Sequence, residues 1–153
     1  MLMLPDELLL SNELFFIEVS RLLSQGRFVT LRSKGNSMLP FIVDGRDSVV
    51  LHAIKDVDVG DIVLAHLPGK GYVLHRIYKK AGERLTLMGD GNLRATEHCQ
   101  KADVVGKVIK ICRNGRYVAC DAFSERFKAA CWKRLLPLRR YLLFVYRLCF
   151  TPK

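Results

Sequence analysis

Apolar residues first recur at helical spacing along this chain, then switch to short alternating runs, then return to a helical period. Within residues 11–24, Phe15, Phe16, Val19, Leu22 and Leu23 fall on one stripe, with Glu13, Ser20 and Gln25 elsewhere. That pattern predicts an amphipathic helix packed on a core. Ser11 suits its N-cap, and Gly26 sits where a helix end takes a left-handed residue. From Phe28 the period shortens. Segments 28–31, 48–52, 62–65, 72–78, 84–88, 104–112 and 116–120 are rich in Val, Ile, Leu and Tyr and read as strands. Asp44-Gly45, Val59-Gly60-Asp61, Pro68-Gly69, Asp90-Gly91 and Asn114-Gly115 separate them, and Asn114-Gly115 is the strongest hairpin signal because both residues tolerate positive φ. Many short strands at this spacing predict a mainly β fold, a coiled sheet or small barrel.

After Asp121 the chain is helical and basic. Ser124 suits the cap of a first helix and Pro137 the start of a second, in which Leu138, Leu142, Val145, Tyr146 and Cys149 form a stripe opposed by arginines. A basic amphipathic helix reads either as a membrane-surface or partner-binding element, or as a helix packed on the β-domain with its arginines solvated. The chain therefore divides into an N-terminal helix (1–26), a β-domain (27–120) and a basic helical tail (121–153).

Charge sharpens that picture. The net charge is +10, and from Asp121 onward eight Lys or Arg stand against two acids, so the tail carries +6 of it. Such a balance favours an anionic neighbour, nucleic acid or an acidic membrane surface. Cys99, Cys112, Cys120, Cys131 and Cys149 are odd in number, widely spaced and without a C-x-x-C pair, which reads as reduced thiols. Asp6 and Glu7 interrupt the apolar start, so no secretory signal is expected, and no run reaches the ~18 apolar residues of a membrane span. The expected location is cytoplasmic or peripheral to a membrane. His52, His66 and His98 show no metal-ligand spacing, so neither metal nor cofactor is assigned.

Two residues can carry chemistry. Ser37 lies in Gly35-Asn36-Ser37-Met38-Leu39-Pro40, where Gly35 and Asn36 let the backbone turn tightly and Pro40 stops regular structure from resuming. Such a turn exposes a hydroxyl and aims backbone N–H groups at a developing oxyanion; the same residues also serve as an ordinary turn. His75 shares a strand face with Val73 and Ile77. It reads either as a core histidine bonded to a carbonyl or as a general base, for which an imidazole's ordinary pKa of roughly 6.5 is suited.

Taken in order, Lys34-Gly35-Asn36-Ser37-Met38-Leu39-Pro40, Gly60-Asp61-Ile62-Val63, His75-Arg76-Ile77 and Gly89-Asp90-Gly91-Asn92 resemble the successive boxes of the S24/S26 peptidase superfamily, signal peptidase I in particular. The resemblance covers residues 28 to 111. It implies a signal-peptidase (LexA-like) coiled-sheet domain with Ser37 as nucleophile. The base would be His75 where many relatives carry lysine, which matches the histidine type of the endoplasmic reticulum and archaea. A hydroxyl residue that many relatives carry two positions before the nucleophile is replaced by Gly35, leaving the oxyanion to backbone N–H, with Asn36 or Ser33. Either Asp90 or Glu97 would orient His75, and Asp90 is the residue expected; Asp-Gly also suits a plain turn. Met38, Leu39 and Pro40 would form a wall for an extended substrate. Ala81-Gly82 follows the His75 strand, the wrong side of the site for a self-cleaving repressor.

The expected function is thus a serine endopeptidase cutting a precursor or leader peptide after small residues, with an anionic membrane surface as the expected partner of its C-terminal helix. The rival expectations are a non-catalytic binding module on a degenerate peptidase fold, for nucleic acid or a membrane surface, and a peripheral membrane scaffold. Aromatic and basic residues do not interleave as a nucleic-acid stacking platform requires.

Overall fold

The computed structural model describes residues 5–54 and 56–150, with side chains from residue 13 onward. Helix α1 (Pro5–Ser24) starts well before Ser11, which lies inside the helix instead of capping it. Its inward stripe is Phe16, Val19 and Leu23, whereas Phe15 stands out from the core. The Gly26 and Arg27 N–H groups donate to the Leu23 and Leu22 carbonyls and close the helix end, with Gly26 at φ 76°.

Eight strands follow: β1 (Val29–Arg32), β2 (Ser48–His52), β3 (Ile62–Leu67), β4 (Gly71–Ala81), β5 (Arg84–Met88), β6 (Glu97–Gln100), β7 (Val104–Arg113) and β8 (Arg116–Ala119). They form one antiparallel sheet in the order β1-β2-β7-β3-β4-β5-β6, and β8 pairs with the far end of β7. Register shifts at Val50/Leu51, Leu64/Ala65 and Ile77/Lys79 are bulges that bend and coil the sheet. The paired order ends in β1 and β6, so the sheet is coiled and open, not a closed barrel. Strand β6 escapes sequence reading. Its inward residues are Glu97 and Cys99 and its outward ones His98 and Gln100, so no apolar alternation marks it.

The sheet is hydrophobic on both faces. Leu51, Ile62, Leu64 and Val108 pack with α1, the 38–42 turn, Trp132 and Leu143. Val63, Ala65, Leu67, Ile77, Leu85 and Leu87 form a second cluster on the other face. Trp132 belongs to α2 (Phe123–Arg134) and Leu143 to α3 (Arg139–Phe150), which are joined by a 3-10 turn over Leu136–Leu138. The first of these helices starts at Phe123, with Ala122 at the cap and Ser124 inside, and Pro137 falls in the turn before α3. In α3 the buried residues are Arg139 and Leu143, with Tyr146 half-buried, instead of the Leu138, Leu142, Val145 and Cys149 stripe. That apolar stripe faces outward. No helix among the described residues is long and apolar enough to cross a membrane.

Candidate active site

The Ser37 turn is pinned at both ends. Ser33 N–H donates to the Asp47 carbonyl and Gly45 N–H to that of Ser33, closing the loop at its base. Asp47, fully buried, accepts from Val43 N–H at 2.8 Å and pairs with Arg46. Within the loop the Leu39 N–H donates to Asn36, and those of Phe41 and Ile42 to Met38. Gly35 takes φ 84°, the left-handed conformation the turn needs. Leu39 is 1% exposed and anchors the loop in the core, so it cannot be part of a substrate wall. Met38 and Ser37 do line a cleft of about 600 Å³, together with Phe16, β1 and Tyr72 to Leu74 of β4; Pro40 lies outside it.

Beneath the turn lies the second glycine box. Gly91 N–H donates to the Ser37 carbonyl at 2.8 Å. A Cβ on Gly89 would stand 2.3 Å from the Ser37 carbonyl oxygen, and one on Gly91 2.3 Å from that of Asn36. The glycines are there because two backbones touch. This contact also ties the Ser37 turn to the strand end that carries His75. The last β4–β5 pair is Arg76↔Met88, and His75 and Gly89 are the next residues along the two chains.

His75 is buried, and its Nδ1 lies 2.8 Å from Glu97 Oε2. An ionised carboxylate only accepts, so the Nδ1 proton is donated to Glu97 and Nε2 is left as the basic nitrogen. Lys70 holds the other Glu97 oxygen at 2.8 Å. Burial would raise the Glu97 carboxyl, but the hydrogen bonds from Lys70 and His75 outweigh it and hold the group below its ordinary value. Glu97 therefore stays ionised beside the ring. Among the described residues the Ser37 hydroxyl makes no hydrogen bond, to His75 or to any other group.

Asp90 does not meet His75. Arg76 takes both its oxygens, Nε at 2.9 and 3.1 Å and Nη2 at 2.7 Å. Arg76 also donates to the Gly60 carbonyl at 2.8 Å and stacks 5.0 Å from the Phe41 ring. One guanidinium thus ties together the turn after Ser37, the Gly60-Asp61 box and the Asp90 box, a role that sequence reading missed. Trp132 adds a hydrogen bond from its indole N–H to the Asp90 carbonyl at 2.8 Å. Of the two acids that sequence reading left open, the carboxylate on His75 is Glu97; Asp90 is part of the scaffold.

Compared with known families, residues 5–109 match the model described as Peptidase S24-like. No curated protein matches the chain.

Proposed function

The chain belongs to the Peptidase S24-like family, and on that premise we propose that it is a serine endopeptidase of signal-peptidase type, with Ser37 as nucleophile, His75 as base and Glu97 as the acid that orients the base. The observation carrying this reading is the buried His75–Glu97 hydrogen bond of 2.8 Å. A binding module has no use for an imidazole whose proton is fixed on Nδ1 and whose Nε2 is left basic.

In the reaction, Nε2 takes the Ser37 proton as Oγ attacks the scissile carbonyl carbon. Glu97 steadies the imidazolium that forms. Backbone N–H groups of the Gly35–Ser37 turn serve the oxyanion, since no hydroxyl stands at position 35. His75 then gives its proton to the leaving amine, and water, deprotonated by the same Nε2, releases the acyl group and restores Ser37. The cleft beside Ser37 runs along β1, a strand paired on one edge only. An extended peptide adding there would have its backbone fixed by the strand, with Met38 and Val73 walling small pockets. Such a site suits a precursor or leader peptide cut after a small residue.

The partner surface we assign to α3 is an anionic membrane. Tyr141, Phe144, Val145, Leu148 and Phe150 are all exposed, within a tail carrying a net +6. For the activity itself, a library of quenched fluorescent peptides bearing Ala, Gly or Ser before the scissile bond is the direct assay. Cleavage after those residues, abolished in Ser37→Ala, is expected; a folded protein that cuts none of them would refute the substrate class.

A further inference from the structure

The 89–92 turn touches more than Ser37. Through Asp90 and Asn92 it also meets α2 and α3, and beside it opens a cavity of about 580 Å³. Five cations line this cavity, Arg76, Arg126, Lys133, Arg134 and Arg139, against one carboxylate, Asp90. Both Asp90 oxygens are taken by Arg76. Arg126 is paired with Asp61 at 2.8 Å, and Lys133 donates to the Tyr78 carbonyl at 2.7 Å.

Arg139 and Arg134 are the unusual pair. Arg139 is 2% exposed, yet its acceptors are all neutral: the Asn92 carbonyl at 3.0 Å, the Trp132 carbonyl at 3.3 Å and the Met88 sulfur at 3.8 Å. Its Nε–H has no partner among the described residues. Buried charges are normally paired, and leaving one unpaired is costly. Burial pushes this guanidinium below its ordinary value, and the nearby Asp90 carboxylate, whose hydrogen bonds go to Arg76, offsets that only in part. Arg134, on the same wall, makes no ion pair among the described residues.

We propose that this cavity is an anion site, built to take a phosphate group between Arg139, Arg134 and Lys133. A phosphate offers several acceptor oxygens and up to two charges, which suits two guanidinium forks and an ammonium better than a single carboxylate does. The cavity is larger than the phosphate alone, so the group arrives attached to something, a small phosphoester or a lipid headgroup. Arg139 holds the Asn92 carbonyl, so the occupied site is coupled to the turn that supports Ser37.

The test is calorimetric titration of the full chain with inorganic phosphate, against sodium chloride at equal ionic strength, and co-sedimentation with phosphatidylcholine vesicles with or without phosphatidic acid. Saturable one-site binding of free phosphate supports the site with a soluble ligand. Sedimentation that needs phosphatidic acid supports it with a lipid. In either arm Lys133→Gln with Arg134→Gln should weaken binding at least tenfold, as expected when charge-assisted contacts are lost. Arg134→Gln alone removes no hydrogen bond or ion pair among the described residues, and a severalfold loss there carries the same meaning if the double variant misfolds. The proposal is overturned if the folded protein binds neither probe. It is equally overturned if binding is unchanged in these variants, because the anion would then sit elsewhere, for instance on α3.

Discussion

Glu97 and Asp90 are both buried carboxylates within reach of the His75-Arg76 pair, and strand alternation decides which one each serves. His75 points to the face shared with Ile77, where β6 delivers Glu97, while Arg76 points to the other, where Asp90 waits. Substituting each should separate the roles. Glu97→Gln keeps the shape but loses the charge and the tautomer control, so kcat should fall on the order of 10²–10⁴-fold with folding kept. Asp90→Asn leaves Arg76 half-paired in a buried place, so it should cost about 3–5 kcal/mol in urea unfolding while the pH profile of the remaining activity is unchanged. Because Glu97 is held below its ordinary value, its stabilisation is present above the usual carboxylate range and is lost as pH falls through the lowered folded-state value. Urea midpoints across acidic pH should accordingly fall less steeply in Glu97→Gln than in the unaltered chain. Ser37 and His75 stand out through the order of the boxes that resemble the family, not through residue type alone. The acid does not, because Asp90 sits in the more conspicuous glycine box and its real partner, Arg76, looks like an ordinary strand cation.

At the scale of elements, the sheet depends on backbone contacts that only glycine permits. Gly89→Ala or Gly91→Ala would drive a methyl group to 2.3 Å from a carbonyl oxygen of the Ser37 turn. Backbone must move, so each change should cost about 1–3 kcal/mol and reduce cleavage disproportionately, read as a kcat loss at temperatures where the variant is fully folded. Seven of the strands are visible in the sequence because each has apolar alternation or a bounding turn. Strand β6 is invisible because its inward positions are filled by Glu97 and Cys99, which leave no apolar alternation to read. Helix α3 misleads in the opposite sense. Its most apolar stripe is outside, and its buried line begins with an arginine held over the Trp132 ring. No periodicity reading that expects apolar residues inside would choose that face.

Across the whole molecule, the C-terminal helices brace the site from beyond the matched family segment, which ends at residue 109. Trp132 is 8% exposed in the main core and bonds the Asp90 carbonyl, so Trp132→Ala should destabilise the fold by about 3–5 kcal/mol, seen as a lowered urea midpoint. The net charge of +10 and the exposed apolar face of α3 belong to this scale too. Phe144→Glu with Leu148→Glu should abolish flotation with anionic vesicles and leave peptide cleavage in solution intact; equal flotation would remove the docking role. These supports meet at the Ser37 turn, whose hydroxyl is the proposed nucleophile. The decisive measurement is therefore fluorophosphonate labelling with the modified residue mapped by mass spectrometry. A single adduct on Ser37 is expected, absent in Ser37→Ala and strongly slowed in His75→Ala and Glu97→Gln. Folded protein that takes no label at Ser37, or labels equally fast without His75, would contradict the roles assigned to Ser37 and His75.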